Sequence, residues 1–211
     1  MHRVPGHRVP FVALWHIDEI AADARRALSP STAPDECLDM ARILETVDGR
    51  KRRLPSGVEA TVKLAVEELP KHVLGETRLV DDRIYIGIAE MTYRLMCVEE
   101  GWARFTAAHE VGHVTMHLAT LTKLKTMSQY EVALARVAAN HHDSVDSEVQ
   151  ANNFAAAFLA PNEGLRLLDT RGRMSVESVM CTFGMGRKSA TARINNYRRR
   201  RPTRRRGRGG G

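Results

Sequence analysis

The sequence predicts an α+β fold, mostly helical, in which a small three-stranded sheet packs on one long helix that carries a histidine motif. Three observations predict it. Apolar residues recur at helical spacing near both ends of the chain, the period switches to two between Val58 and Val66, and a hairpin pattern follows.

In chain order, residues 16–28 place Ile17, Ile20, Ala21, Ala24 and Leu28 on one face, an amphipathic helix. A Ser- and Pro-rich linker follows, and a second helix is expected near 35–47 on Leu38, Ala41 and Leu44. The basic stretch 48–57, with its Gly and Pro, reads as a surface loop. Val58, Ala60, Val62, Leu64 and Val66 then share the face of a strand, and 77–80 with 83–88 form a hairpin about Asp81-Asp82. Helices are expected over 102–119, 128–139 and 147–160, with short ones at 175–183 and 187–197. The Gly-containing connection between the last two gives a helix-turn-helix-like pattern, read as packing or docking structure rather than a DNA reader. The organisation expected is a main domain over 1–170, made of N-terminal helices and loop (1–57) and sheet with motif helices (58–170). A small helical segment (171–197) and an Arg-rich tail (198–211) follow.

A chain of 211 residues can bury a substantial core, and 43% hydrophobic with 27% charged residues is ordinary for a globular protein. No run approaches the roughly 20 apolar residues of a membrane span, and the N-terminus lacks a small-residue cleavage site. Three scattered cysteines, Cys37, Cys97 and Cys181, fit reduced thiols rather than a disulfide framework. These features together predict a cytoplasmic protein without a membrane partner. The net charge of +7 belongs to the tail: eight arginines lie between Arg198 and Arg208, and without them the chain is nearly neutral. Such a tail cannot repay its ordering entropy. It is expected to be disordered, and either contacts nucleic acid or another polyanion or is simply a solvated end.

Chemistry concentrates between Arg104 and His117, RFTAAHEVGHVTMH. On a helix, His109 and His113 lie about 6 Å apart along the axis and about 40° apart around it, so one ion can meet both rings. Glu110 stands beside them where it can take a proton from water on the metal, the H-E-x-x-H arrangement of zinc peptidases. The same histidines would also suit an ordinary charged helix face. His117 is about 12 Å along and some 80° around from His109, which reads as support or packing rather than a ligand. Glu148 is the strongest candidate for a third ligand, because it opens a helix that is nearly all apolar after Asn153. Against this, Ser147 could cap that helix and a first-turn Glu suits its dipole without any metal.

The stretches RFTAAHEVGHVTMH and SEVQANNFAAAFLAP together resemble the paired signatures of the ImmA/IrrE family of metallo-endopeptidases, and the resemblance covers roughly residues 55–197. It implies a zincin-like peptidase fold and one Zn2+ ion held by His109, His113 and Glu148. It further implies Glu110 as general base and Asn152 orienting a ligand histidine. Val149 and Ala160 depart mildly from the pattern. The resemblance also implies a protein substrate, a helix-turn-helix repressor encoded nearby, whose cleavage derepresses mobile-element or stress-response genes. The strand with Ile84 and Ile86 is expected as an edge on which an extended substrate adds. Tyr93, His117, His141 and His142 are candidate oxyanion donors. Two alternatives remain: a non-proteolytic anti-repressor with a structural metal, and a DNA-associated regulatory protein using the C-terminal helices and tail.

Overall fold

The computed structural model describes residues 6–125 and 143–199. The expected helix at 128–139, His141, His142 and tail residues 200–211 lie outside them. The described elements are α1 (Leu14–Leu28), α2 (Met40–Val47), β1 (Lys51–Arg53), β2 (Glu59–Glu67), β3 (Gly75–Val80) and β4 (Arg83–Ala89), then α3 (Glu90–Cys97), α4 (Gly101–Met116) and α5 (Leu118–Lys125). After a 3-10 turn at Asp143–Val145 come α6 (Ser147–Leu159), α7 (Asn162–Thr170), α8 (Val176–Phe183) and α9 (Arg187–Arg199). No described helix is long and apolar enough to cross a membrane.

The sheet has four strands rather than three, in the order β1-β2-β4-β3. β1 pairs antiparallel with β2 through Arg52↔Ala60, in the segment expected as a loop. Its sequence is Lys-Arg-Arg, so no apolar alternation marks it; charge on a short edge strand instead discourages further pairing. β2 and β4 run parallel (Val62↔Ile84, Leu64↔Ile86), and β3 returns antiparallel on the far side of β4 (Thr77↔Ile86). The hairpin turns where expected, with Asp81 in a left-handed conformation at φ 51°. Ile84, Ile86 and Ile88 of the interior strand are buried, as are Ala60 and Val62 of β2.

Three helical expectations change. Helix α2 begins only at Met40, where Asp39 caps it by accepting from the Arg42 N–H at 3.0 Å. The long helix expected over 102–119 ends at Met116 and restarts as α5, because His117 leaves the helical conformation (φ −117°, ψ 24°). Helices α3 and α7 were not anticipated. Only Thr92 and Met96 are buried on α3, too few for a visible stripe, and α7 starts directly after Pro161, a residue that reads as a stop.

Helix α4 is packed on two sides, against the sheet and against α6, and most of its buried residues are small, among them Ala103, Ala107, Ala108, Gly112 and Val114. Gly112 sets the distance between the two helices. A Cβ there would meet Phe154 Cδ1 at 2.9 Å, and Phe154 is itself fully buried and stacked on Phe158. Gly112→Ala should therefore cost about 1–3 kcal/mol by overpacking and push α6 away from α4. Thermal melts and zinc titration of the variant check this, with lowered stability and weakened metal binding expected together.

The far end of α6 is held by buried arginines. Arg25 of α1 donates to the Phe158 and Leu159 carbonyls at 3.1 Å each, and Arg193 of α9 donates through Nε to Ala160 O at 2.8 Å. These satisfy carbonyls that the helix terminus leaves without partners. Burial pushes the Arg25 guanidinium down to about 10, still cationic at neutral pH.

Candidate metal centre

The crossing of α4 and α6 brings His109, His113 and Glu148 together, with one possible ligand atom from each lying within 4.8 Å of the others. His109 Nε2 is 3.1 Å from Glu148 Oε2 and 3.0 Å from His113 Nε2, and His113 Nε2 is 3.4 Å from Glu148 Oε1. Zinc bonds of 2.0–2.1 Å to a tetrahedral ligand set put neighbouring donors about 3.3–3.4 Å apart. The group therefore fits a small divalent cation. Two imidazole lone pairs 3.0 Å apart also repel each other unless a proton or a metal ion lies between them.

Hydrogen bonds behind the rings set which nitrogens face the centre. Asn152 Oδ1 accepts from His109 Nδ1 at 3.1 Å, leaving Nε2 toward Glu148. A longer chain fixes His113. Gln150 donates its amide to the Pro10 and Ser144 carbonyls at 2.8 Å each, so its Oε1 must face His117 Nε2, 3.1 Å away. His117 then donates from Nε2 and accepts through Nδ1 from His113 Nδ1–H at 3.0 Å, which presents the His113 Nε2 lone pair to the centre. Burial, then the neighbouring His113, pushes His117 down to about 4, keeping it neutral as this relay requires. Gln150→Met removes the acceptor that anchors the relay. Metal affinity should fall about 10- to 100-fold, which titration against a competing chelator measures.

Glu148 sits in the first turn of α6, capped by Asp146 rather than Ser147: Asp146 Oδ1 accepts from the N–H groups of Glu148 and Val149 at 2.8 and 3.2 Å. Ser147 instead accepts from the His7 N–H at 2.9 Å. A strap at residues 6–9 is thus stitched to this helix start, with Ser147 N donating to His7 O and Val9 N to Val145 O. Its Gly6 presses so closely that a Cβ would come within 2.7 Å of Glu148 Cγ. Burial works to raise the Glu148 carboxyl, but hydrogen bonds from His109 and His113 outweigh it and hold the group well below the usual carboxylate range. The His109 ring moves the opposite way: desolvation lowers it, and the Glu148 hydrogen bond with the charge of Glu110 raises it further. The cluster is built to hold positive charge.

Glu110 is 4% exposed and leans toward β3, where Thr77 Oγ1 donates to its Oε2 at 2.7 Å. Burial raises its carboxyl above the usual value against the pull of His109, His113 and Thr77. Across from it, Gly75 keeps the space open; a Cβ there would stand 3.2 Å from Glu110 Oε1. These residues line a cleft of about 420 Å³ that also receives His7 and Leu121.

The substrate-binding expectation is corrected. β4 lies between β2 and β3, and Ile84 and Ile86 are buried core residues, so this strand offers no edge. The edge beside the centre is β3, which places Gly75, Glu76, Thr77 and Arg78 along the cleft. Tyr93 lies on α3, packed on the core near Glu45, Asp39 and Cys97 and absent from the cleft lining. Thr77, Gln150, Gly75 and His7 were not singled out from sequence. Gln150 stood inside a quoted motif without a role, and the others gather only through tertiary pairing.

A sequence profile of the IrrE N-terminal-like domain of M78 peptidases matches residues 99–195, the span that carries both motif helices. This segment resembles the M78 peptidases. Within the fold that carries this span, the His109–His113–Glu148 group is where the described residues can take a metal ion. No curated protein matches the chain. Among solved structures, a Mycobacterium tuberculosis transcriptional regulator is similar at 18% identity and a TM-score of 0.44, over 90% of this chain. The chain spans about half of that structure, 49% of its length.

Proposed function

We propose that this protein is an M78-type, zinc-dependent endopeptidase that cleaves a helix-turn-helix transcriptional repressor encoded nearby. The observation that carries the peptidase reading is the convergence of His109, His113 and Glu148 beside a buried Glu110 at the open edge of the sheet. A zinc ion held there supplies Lewis acidity, polarising a carbonyl and making water acidic enough to lose a proton near neutrality.

The protein's own residues supply the rest. An extended substrate lies along β3, whose outer backbone groups offer strand-like hydrogen bonds. Thr77 fixes one oxygen of Glu110, and the other faces the space beside Gly75. Glu110 takes the proton of the attacking water there and returns it to the leaving nitrogen. Asn152 and the Gln150–His117 relay hold the two imidazoles in the tautomers that coordination needs. The repressor target rests on the resemblance of the two motifs to the ImmA/IrrE family. Purified protein should hold one zinc ion and cut a co-incubated repressor encoded beside it; chelation should abolish cleavage and added zinc restore it. Protein that binds no metal, or cleavage indifferent to chelator, would refute the reading.

A further inference from the structure

We infer that Leu74, Trp102 and Phe105 form a specificity subsite that receives one large apolar or aromatic side chain of the substrate, two or three residues from the scissile bond. The inference rests on the peptidase reading and adds to it the chemistry of the substrate.

A groove of about 450 Å³ lies between α4, α6 and the start of α9, a size suited to an aromatic side chain with its backbone. It adjoins the metal cleft. Asn152, whose Oδ1 holds His109, lines it, and so does Thr106, which Gly75 of the cleft approaches so closely that a Cβ would be 3.1 Å from its Cγ2. Trp102, Phe105 and His109 stand at i, i+3 and i+7 on α4, one stripe along the helix. Phe105 is therefore about 6 Å and Trp102 about 10 Å along the axis from the ligand histidine. An extended peptide advances about 3.3 Å per residue, so a side chain two or three positions from the reacting carbonyl reaches this stripe.

The lining decides what enters. Leu74 at the head of the edge strand and Trp102 on α4 are 45% and 42% exposed. Two large apolar groups from separate elements thus converge on the groove, with apolar area left for an occupant to cover. Ala156 and Ala192 leave room between them, no acid lines the groove, and Lys188 stands at its rim. A basic side chain meets no partner there and a like charge at the rim. The C-terminal helix pair therefore serves the substrate: the turn after α8 and the first turns of α9 form one wall.

The test uses the full chain with Glu110→Gln, which binds without cutting, and Trp15→Phe, which leaves Trp102 the sole tryptophan. Zinc-loaded protein is titrated with otherwise Ala/Ser/Thr peptides that carry Phe, Leu, Gly or Lys at one scanned position, and Trp102 emission is followed. Phe and Leu at one fixed position should shift the emission and bind at least about tenfold tighter than Gly or Lys. Ala192→Phe, which fills the groove from an exposed position, should erase that preference while zinc content stays unchanged. In parallel, Glu110-containing protein is given a mixed peptide library. Cleavage sites should be enriched in large apolar residues at one position, and Ala192→Phe should shift that position to small residues. Cleavage without this preference, or a preference untouched by Ala192→Phe, overturns the subsite and leaves the peptidase reading standing. Emission that shifts with protein concentration alone also overturns it, because the groove would then be covered by a second copy. Absence of both zinc and cleavage defeats the peptidase reading itself.

Discussion

Glu110→Gln is expected to keep its metal and lose at least about 100-fold in kcat, the contribution of a positioned general base. The side chain is not one of the three clustered donors, and the amide keeps an oxygen to accept from Thr77 Oγ1. Folding should not suffer. The carboxyl is buried, its ionised form is opposed by desolvation, and a neutral isostere escapes that cost. Metal content, a melting curve and turnover of the proposed repressor substrate separate the effects: unchanged zinc, unchanged or raised Tm, and collapsed kcat. His109→Ala should differ in kind, losing zinc and activity together. Wild-type turnover in the Gln variant would remove Glu110 from the chemistry.

Arg193→Met should produce the largest loss of stability, about 3–5 kcal/mol, as expected when one partner of a buried ion pair is removed. Arg193 and Asp18 are 2% and 8% exposed at the side chain and 3.0 Å apart, tying α9 to α1. The same guanidinium donates to Ala160 O at 2.8 Å and to Asn162 Oδ1 at 2.9 Å. Met fills much of the space but removes the guanidinium beside Asp18 and the donor to Ala160 O. A fall in Tm of roughly 10 °C follows from 2–4 °C per kcal/mol in a chain of this size. The double variant Asp18→Leu/Arg193→Met should recover part of the loss, since no charge is then stranded. Zinc affinity should change less than stability, because Glu148 lies at the opposite end of α6. A double variant no more stable than Arg193→Met would show that the ion pair is not the source of the effect.

Much of this was legible in the sequence because it is local. The spacing of His109 and His113 is a property of any helix, and the apolar run after Asn153 marks α6 as a buried neighbour that can deliver Glu148. The period-two run of β2 and the hairpin about Asp81 were equally visible. What escaped reading depends on pairing across the chain. Lys51-Arg52-Arg53 carries no apolar signal, so β1 exists only because β2 lies beside it. Order within the sheet cannot be read from the strands, and the edge role passed from β4 to β3 for that reason. Ser147 looked like the cap of α6, but the strap engages it and Asp146 does the capping. His117 showed its likeness to a ligand in sequence; only Gln150, pinned by Pro10 and Ser144, reveals that it serves His113 from behind.

The strap and the buried arginines also set when the centre can exist. Gly6 and His7 reach Asp146 and Ser147 across 140 residues, Arg25 reaches Phe158 across 133, and Arg193 reaches Asp18 across 175. Contacts this distant along the chain form slowly and cannot form before both ends have been synthesised. A nascent chain that has passed Glu148 already contains every proposed ligand, but not yet the residue that closes the far end of α6. Until Arg193 has been made, the helix carrying Glu148 has only Arg25 to hold its far end, so the metal cluster gains its full support only after its last ligand has been synthesised.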